Sequence, residues 1–189
     1  MAQAGVPSLP VLRYPDPLLK RRARPVTVEE LQAGRAGGTN LRELAARMIA
    51  TLYTDEGAGL AAPQVGVSLR LFVADASPGR NESFAVFNPQ LSELGDYLEE
   101  EEGCLSFPEI RAKVKRAGRL VLTGLDAEGR PLRKEAAGLL ARICQHETDH
   151  LDGLLFIQRM GPATRFMLRR KLRELEEEYQ ARRRLLGKR

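Results

Sequence analysis

At 189 residues the chain reads as one domain, residues 1–189, with enough length to bury a core. No apolar stretch approaches about 18 residues, which argues against a membrane-spanning helix, and the N-terminus lacks the apolar core of a signal peptide. Two cysteines argue against a disulfide scaffold and for a reducing compartment, while a net charge of +5 with no Trp and no nucleic-acid motif describes a basic surface rather than a nucleic-acid reader.

Residues 1 to 39 are rich in Pro and Gly and read as extended or irregular. Asn40 and Glu43 form a capping-box pattern that opens a helix, and Leu41, Leu44, Ala45, Met48, Ile49 and Leu52 give it one apolar stripe. Gly57 is the expected stop. The stretch Gly57-Ala58-Gly59-Leu60-Ala61-Ala62-Pro63-Gln64 is small and apolar, with one amide at its end. Residues 69 to 75, 84 to 88 and 119 to 125 read as strands. Glu99 to Glu102 is a charge run, read as solvated in its first members. Ala127-Glu128-Gly129-Arg130 reads as a hairpin turn before a strand over 131 to 135. Leu139 to Leu151 form a second helix. A third spans 163 to 186, opened by Pro162 and stopped near Gly187, with Leu168, Leu172, Leu175, Tyr179 and Leu186 as a narrow apolar stripe. From Arg165 to residue 189 the chain carries ten Lys or Arg against four Glu.

Both histidines of the chain fall in His146-Glu147-Thr148-Asp149-His150. Each helical residue advances about 100°, so positions four apart lie within about 40° of each other. Two imidazoles so placed can grip one metal ion, and Glu147 falls on the same side. This is the H-E-x-x-H pattern of metal-assisted hydrolysis. Leu139, Ile143, His146 and His150 share about one face, which puts an apolar wall beside the metal.

A third ligand must come from a carboxylate or a cysteine. Cys144 precedes His146 by two residues and points about 200° away from it, so it reads as core filler. Cys104, in Glu102-Gly103-Cys104-Leu105-Ser106, is a candidate ligand or else an inert buried thiol. As a ligand it would leave a fourth position open for water, as in catalytic sites. The Gly57–Gln64 segment is a tight turn on its plainest reading. No Lys-Ser/Thr follows, so it is not a phosphate loop, but an amide such as Gln64 beside a metal suits oxyanion stabilisation.

Taken in order, the segments Gly57–Gln64, Glu102–Ser106 and Gln145-His146-Glu147-Thr148-Asp149-His150-Leu151-Asp152-Gly153 resemble the signature of the peptide deformylase family. They match without a departure at a signature position. Val11 to Leu19 also resembles the family's N-terminal segment, which leaves little room for a transit peptide and points to a bacterial cytoplasm.

The resemblance implies an α+β fold, with antiparallel strands around a central metal-binding helix and a C-terminal helix. It implies that Cys104, His146 and His150 hold one divalent metal ion, Fe2+ physiologically, with Zn2+, Ni2+ or Co2+ as substitutes. It implies Glu147 as the acid–base group, and Gln64 with the Leu105 backbone N–H as oxyanion donors. Leu139 and Ile143 would receive the methionine side chain. The backbone around Gly57 and Gly59, with Arg111, would bind the rest of the chain. The implied substrates are N-formyl-methionyl nascent peptides, released of formate by a monomeric enzyme, with ribosome contact through the basic C-terminal helix.

Two other readings explain less. A zinc endopeptidase with Glu174 as third ligand would leave Cys104 and the Gly57–Gln64 segment idle. A basic protein binding nucleic acid through its last helix would leave the metal motif idle.

Overall fold

The computed structural model describes residues 5–186; the expected helix stop at Gly187 lies outside them. In chain order the elements are α1 (Val28–Gln32), β1 (Arg35–Ala36), β2 (Thr39–Asn40), α2 (Leu41–Thr54), β3 (Gly59–Ala61), β4 (Leu71–Ala74), β5 (Phe84–Cys104), β6 (Phe107–Leu125), β7 (Pro131–Ala137), α3 (Gly138–Leu151) and α4 (Pro162–Leu186). Strands β3 to β7 form one antiparallel sheet in sequence order. An α+β architecture with a C-terminal helix is what the sequence led us to expect.

Helix α2 buries Leu41, Leu44, Ala45, Met48 and Leu52 against β3 and β4, as the stripe requires. Its cap differs from expectation in one respect. The Asn40 side chain accepts the Glu43 backbone N–H, but Glu43 returns no bond, so only half of the box forms. A complete box opens α1 instead, where Thr27 and Glu30 exchange bonds inside the segment read as irregular. The stop also shifts. Glu56, not Gly57, takes the left-handed turn at φ 54, and the Gly57 N–H closes back onto the Leu52 carbonyl at 2.9 Å.

The largest departure is the length of two strands. Residues 84 to 88 and 119 to 125 are only the inner ends of β5 and β6, which run 21 and 19 residues and meet in a two-residue turn, Leu105-Ser106. The inner part of β5 also pairs with β4, over Phe84–Phe87. The outer part pairs with β6 alone, so its far side is an edge. The acidic run sits there because it faces basic partners: Glu99 opposes Lys115 and Glu101 opposes Lys113. This hairpin carries Cys104 to the sheet end of α3.

Helix α3 lies across the sheet. Ala141, Ile143, Cys144 and Leu151 pack into a core with Phe72, Val86, Leu120 and Leu122. Gln145 pins it further: its Oε1 accepts the Ala117 N–H at 3.0 Å, and its Nε2 donates to the Ala117 carbonyl at 2.9 Å. A side-chain amide thus extends the β6 ladder onto the helix.

Candidate active site

Three chain segments converge at the C-terminal half of α3. Two ligand candidates come from the helix and one from the hairpin tip. Cys104 Sγ lies 3.3 Å from His150 Nε2, and the donor atoms of Cys104, His146 and His150 all lie within 4.8 Å of one another. A tetrahedral ion with metal–sulfur about 2.3 Å and metal–nitrogen about 2.0–2.1 Å sets such donors about 3.6 Å apart. The geometry therefore fits a single small cation. Among the described residues no other group of Cys, His or carboxylate converges in this way. Glu174, the third ligand of the endopeptidase reading, lies far along α4 and pairs with Arg170 at 3.4 Å. Cys144 is fully buried in the core, and burial pushes its thiol up to about 12, consistent with an inert filler.

The histidine orientations are set from behind. His146 Nδ1 meets Glu102 Oε2 at 3.0 Å, which leaves Nε2 for an ion. Glu102 also accepts from Arg116 Nε at 2.9 Å and Nη2 at 3.1 Å. Arg116 Nη1 donates on to Asp149 at 2.6 Å, and Asp149 accepts from Arg159 as well. Burial pushes the Glu102 carboxyl up, but the bonds from His146 and Arg116 outweigh it and hold it below its ordinary value. Burial pushes His146 down, yet its bonds to Cys104 and Glu102 carry it well above the ordinary value. His150 is driven well below, first by burial and then by the charge of His146. A cation held by Cys104, His146 and His150 would need the thiolate and unprotonated imidazole nitrogens, so its affinity would rise with pH.

Glu147 is 3% exposed, and burial lifts its carboxyl to about 7. Its Oε2 has no hydrogen-bond partner. It fits only because residue 59 is glycine: a Cβ there would come 2.3 Å from Glu147 Oε1. Gln64 Oε1 accepts the Ala61 N–H at 2.8 Å, which turns its amide nitrogen toward Ser106 Oγ at 3.2 Å and Cys104 Sγ at 3.5 Å. The donor end thus faces the same point as the ligands.

These groups border an open cavity of about 760 Å³. Gln64, Cys104, Leu105, His146 and Glu147 lie on its wall, with Gly57, Gly59, Arg111, Leu139 and Ile143 around them. His150 sits behind, 1% exposed. Every site residue expected from sequence is therefore in one place. Arg111 is the most exposed, 71%, and pairs with Glu101 at 3.5 Å. Sequence reasoning missed Arg116, Asp149, Arg159 and Arg142. Arg116 had a signal: it continues the inward alternation Ile110, Ala112, Val114, and a charge at such a position requires a buried partner.

Comparison with known proteins agrees with this geometry. Residues 8–166 match the family model described as polypeptide deformylase. A peptide deformylase of Thermodesulfovibrio yellowstonii is 42% identical over 167 residues, covering 87% of this chain and 96% of that protein. One from Thermotoga maritima is 43% identical over 163 residues, covering 86% and 93%. Among solved structures, a peptide deformylase from Legionella pneumophila superposes with TM-score 0.79 at 38% identity, over 93% of this chain and 98% of that one. A plant peptide deformylase, PDF1B, superposes with TM-score 0.83 at 33% identity, over 92% of each chain. With its signature segments gathered around one cavity and these relatives matched along most of its length, the chain belongs to the polypeptide deformylase family.

Proposed function

We propose that this chain removes the formyl group from N-formyl-methionyl peptides at the cavity bounded by Cys104, His146, Glu147 and Gln64. The observation that carries the reading is the meeting of three metal-type donors, an unpartnered buried carboxylate and an outward-turned amide at one point. A divalent cation held by Cys104, His146 and His150 would polarise the formyl carbonyl and make water a nucleophile at neutral pH. We assign Fe2+ on the family resemblance; thiolate and imidazole donors also take Zn2+, Ni2+ and Co2+.

The chain's own groups do the rest. Glu147 Oε2 takes a proton from the attacking water, and a carboxyl lifted to about 7 is suited to holding that proton until the amine departs. It then delivers the proton to the leaving nitrogen. Gln64 Nε2 and the Leu105 backbone N–H donate to the oxygen of the tetrahedral carbon. Leu139, Ile143 and the His146 ring face the methionine side chain. The backbone at Gly57 and Gly59, with Arg111, meets the following residues. Water is displaced as the cavity fills, which strengthens each of these contacts.

We further assign the protein to a bacterial cytoplasm, as a monomer that meets nascent chains at the ribosome through basic α4. No helix among the described residues is long and apolar enough to cross a membrane. The test uses anaerobically prepared enzyme, a formyl-Met peptide, formate release and metal content on the same sample. We expect one ion per active chain, lost or much weakened in Cys104→Ala and fully kept in Cys144→Ala. If both variants keep one tightly held ion, Cys104 is not a ligand.

A further inference from the structure

Ahead of His146, the apolar wall that α3 presents to the cavity is interrupted by Arg142. Leu139, Arg142, Ile143 and His146 fall on one side of the helix, and all four border the cavity. Arg142 lies one turn before His146. Its side chain leaves the helix and crosses to the opposite wall, where Nη1 donates to the Glu101 backbone carbonyl at 2.9 Å and Nη2 meets the Glu100 carboxylate. The crossing side chain is 20% exposed.

Glu101 lies on the edge of β5, beyond the reach of β4. An edge carbonyl is open to any donor, and Arg142 takes this one. Helix and hairpin are thereby tied together across the cavity. A guanidinium has five N–H groups. The two contacts use two of them, and among the described residues no acceptor meets the other three. This crossbar bounds the cavity with hydrogen-bond donors, where the rest of the α3 wall offers Leu139 and Ile143.

We propose that Arg142 is a specificity-determining residue for the first side chain of the substrate. Held by Glu100 and the Glu101 carbonyl, it turns its free N–H groups toward a side chain that ends in a hydrogen-bond acceptor. The chain therefore accepts formylated peptides whose first residue is methionine sulfoxide, alongside methionine itself. An apolar boundary would reject the sulfoxide, because its oxygen would be buried without a partner. This rests on the reading above that the cavity receives the first side chain.

The test compares kcat/KM for formyl-norleucyl, formyl-methionyl and formyl-methionine-sulfoxide peptides of otherwise equal sequence, using metal-loaded enzyme. Norleucine has the length of methionine and no acceptor. In Arg142→Met the sulfoxide-to-norleucine ratio should fall about tenfold or more, the scale of a lost hydrogen bond to a charged group. Arg142→Lys should recover part of it. A ratio unchanged in Arg142→Met, with formyl-methionyl turnover still measurable, overturns the proposal. Should that variant not fold, Glu100→Ala unclamps the guanidinium; a lowered ratio supports the proposal and an unchanged one overturns it. If wild-type enzyme releases no formate from any of the three peptides, the hydrolase reading itself fails, and the proposal with it.

Discussion

Glu147 combines three properties that rarely coincide in one carboxylate: it is buried, one of its oxygens is unpartnered, and it lies beside a ligand on the same helical turn. It is not one of the converging donors, so its removal should spare the metal and slow the chemistry. We expect Glu147→Ala to lose at least about 10²- to 10⁴-fold in turnover, the usual worth of general acid–base catalysis. Near-normal turnover in a folded, metal-loaded variant would remove it from the mechanism. Gln64 is more entangled. Its Nε2 is the proposed oxyanion donor, but its Oε1 also satisfies the buried Ala61 N–H. Gln64→Leu loses both, so metal content must be checked in the same preparation. In metal-loaded protein the fall should be roughly 10²- to 10³-fold and mainly in kcat, because the donor matters most at the transition state. An effect confined to KM would make Gln64 a ground-state binding residue.

At the level of elements, the Gly57 stretch of the cavity wall depends on a loop that no motif announces. Asp75 follows β4 and accepts bonds from Tyr53 Oη at 2.6 Å and from Ser77 and Glu82. The loop so fixed presents Arg80, whose Nη2 donates to the Gly57 carbonyl at 2.5 Å and to the Leu52 carbonyl at 3.4 Å. Arg80 thus ties down the end of α2 and the start of the cavity wall. Arg80→Ala should raise KM for a formylated tripeptide several-fold while kcat falls less. A fall in kcat alone would show that the wall holds its place without Arg80.

The three long helices were legible because each carries an apolar stripe, whereas the five-residue α1 is too short to show one. The two histidine ligands were legible because His146 and His150 stand four apart. The outer hairpin was half legible. Ile110, Ala112 and Val114 alternate as a strand should, but Glu99 to Glu101 face solvent and the buried position that follows is the charged Glu102, so β5 shows no apolar period there. The chain from His146 through Glu102, Arg116 and Asp149 to Arg159 joins residues up to 44 positions apart. Pairings of that kind belong to the tertiary structure and leave no local pattern.

Over the whole molecule, α4 is fastened at its first two-thirds. Leu168, Leu172 and Leu175 pack on the core that holds Phe107 and Phe156. Tyr14 Oη donates to Glu176 at 2.5 Å, Tyr179 Oη to Asp16 at 3.4 Å, and Lys171 Nζ to the Glu109 carbonyl at 3.3 Å. Among the described residues these docking contacts end at Tyr179. Beyond it Arg182, Arg183 and Arg184 are exposed, while Lys188 and Arg189 lie outside the described residues. Deleting residues 181–189 should therefore leave the enzyme folded and turnover on a short formyl-Met peptide nearly intact. It should weaken ribosome binding in a salt-dependent way, since that contact would rest on phosphate neutralisation. Equal co-sedimentation of truncated and full-length protein with ribosomes at low salt would rule the contact out.

Turns between paired strands are where chains ordinarily accept insertions and nicks. The turn from β5 to β6 has no such slack, since both of its residues are engaged. Leu105 packs so near Gly57 that a Cβ on the glycine would come 2.8 Å from its Cδ1. Ser106 accepts from Gln64 through its hydroxyl and from the Tyr14 N–H through its carbonyl. One added residue would rotate Cys104 away from His150. The turn after β6 is the opposite case. Its bonds close on Asp126, and Glu128 and Arg130 stand in solvent. A tag, a cut site or a new pair of termini belongs there, at the end of the hairpin that carries no chemistry.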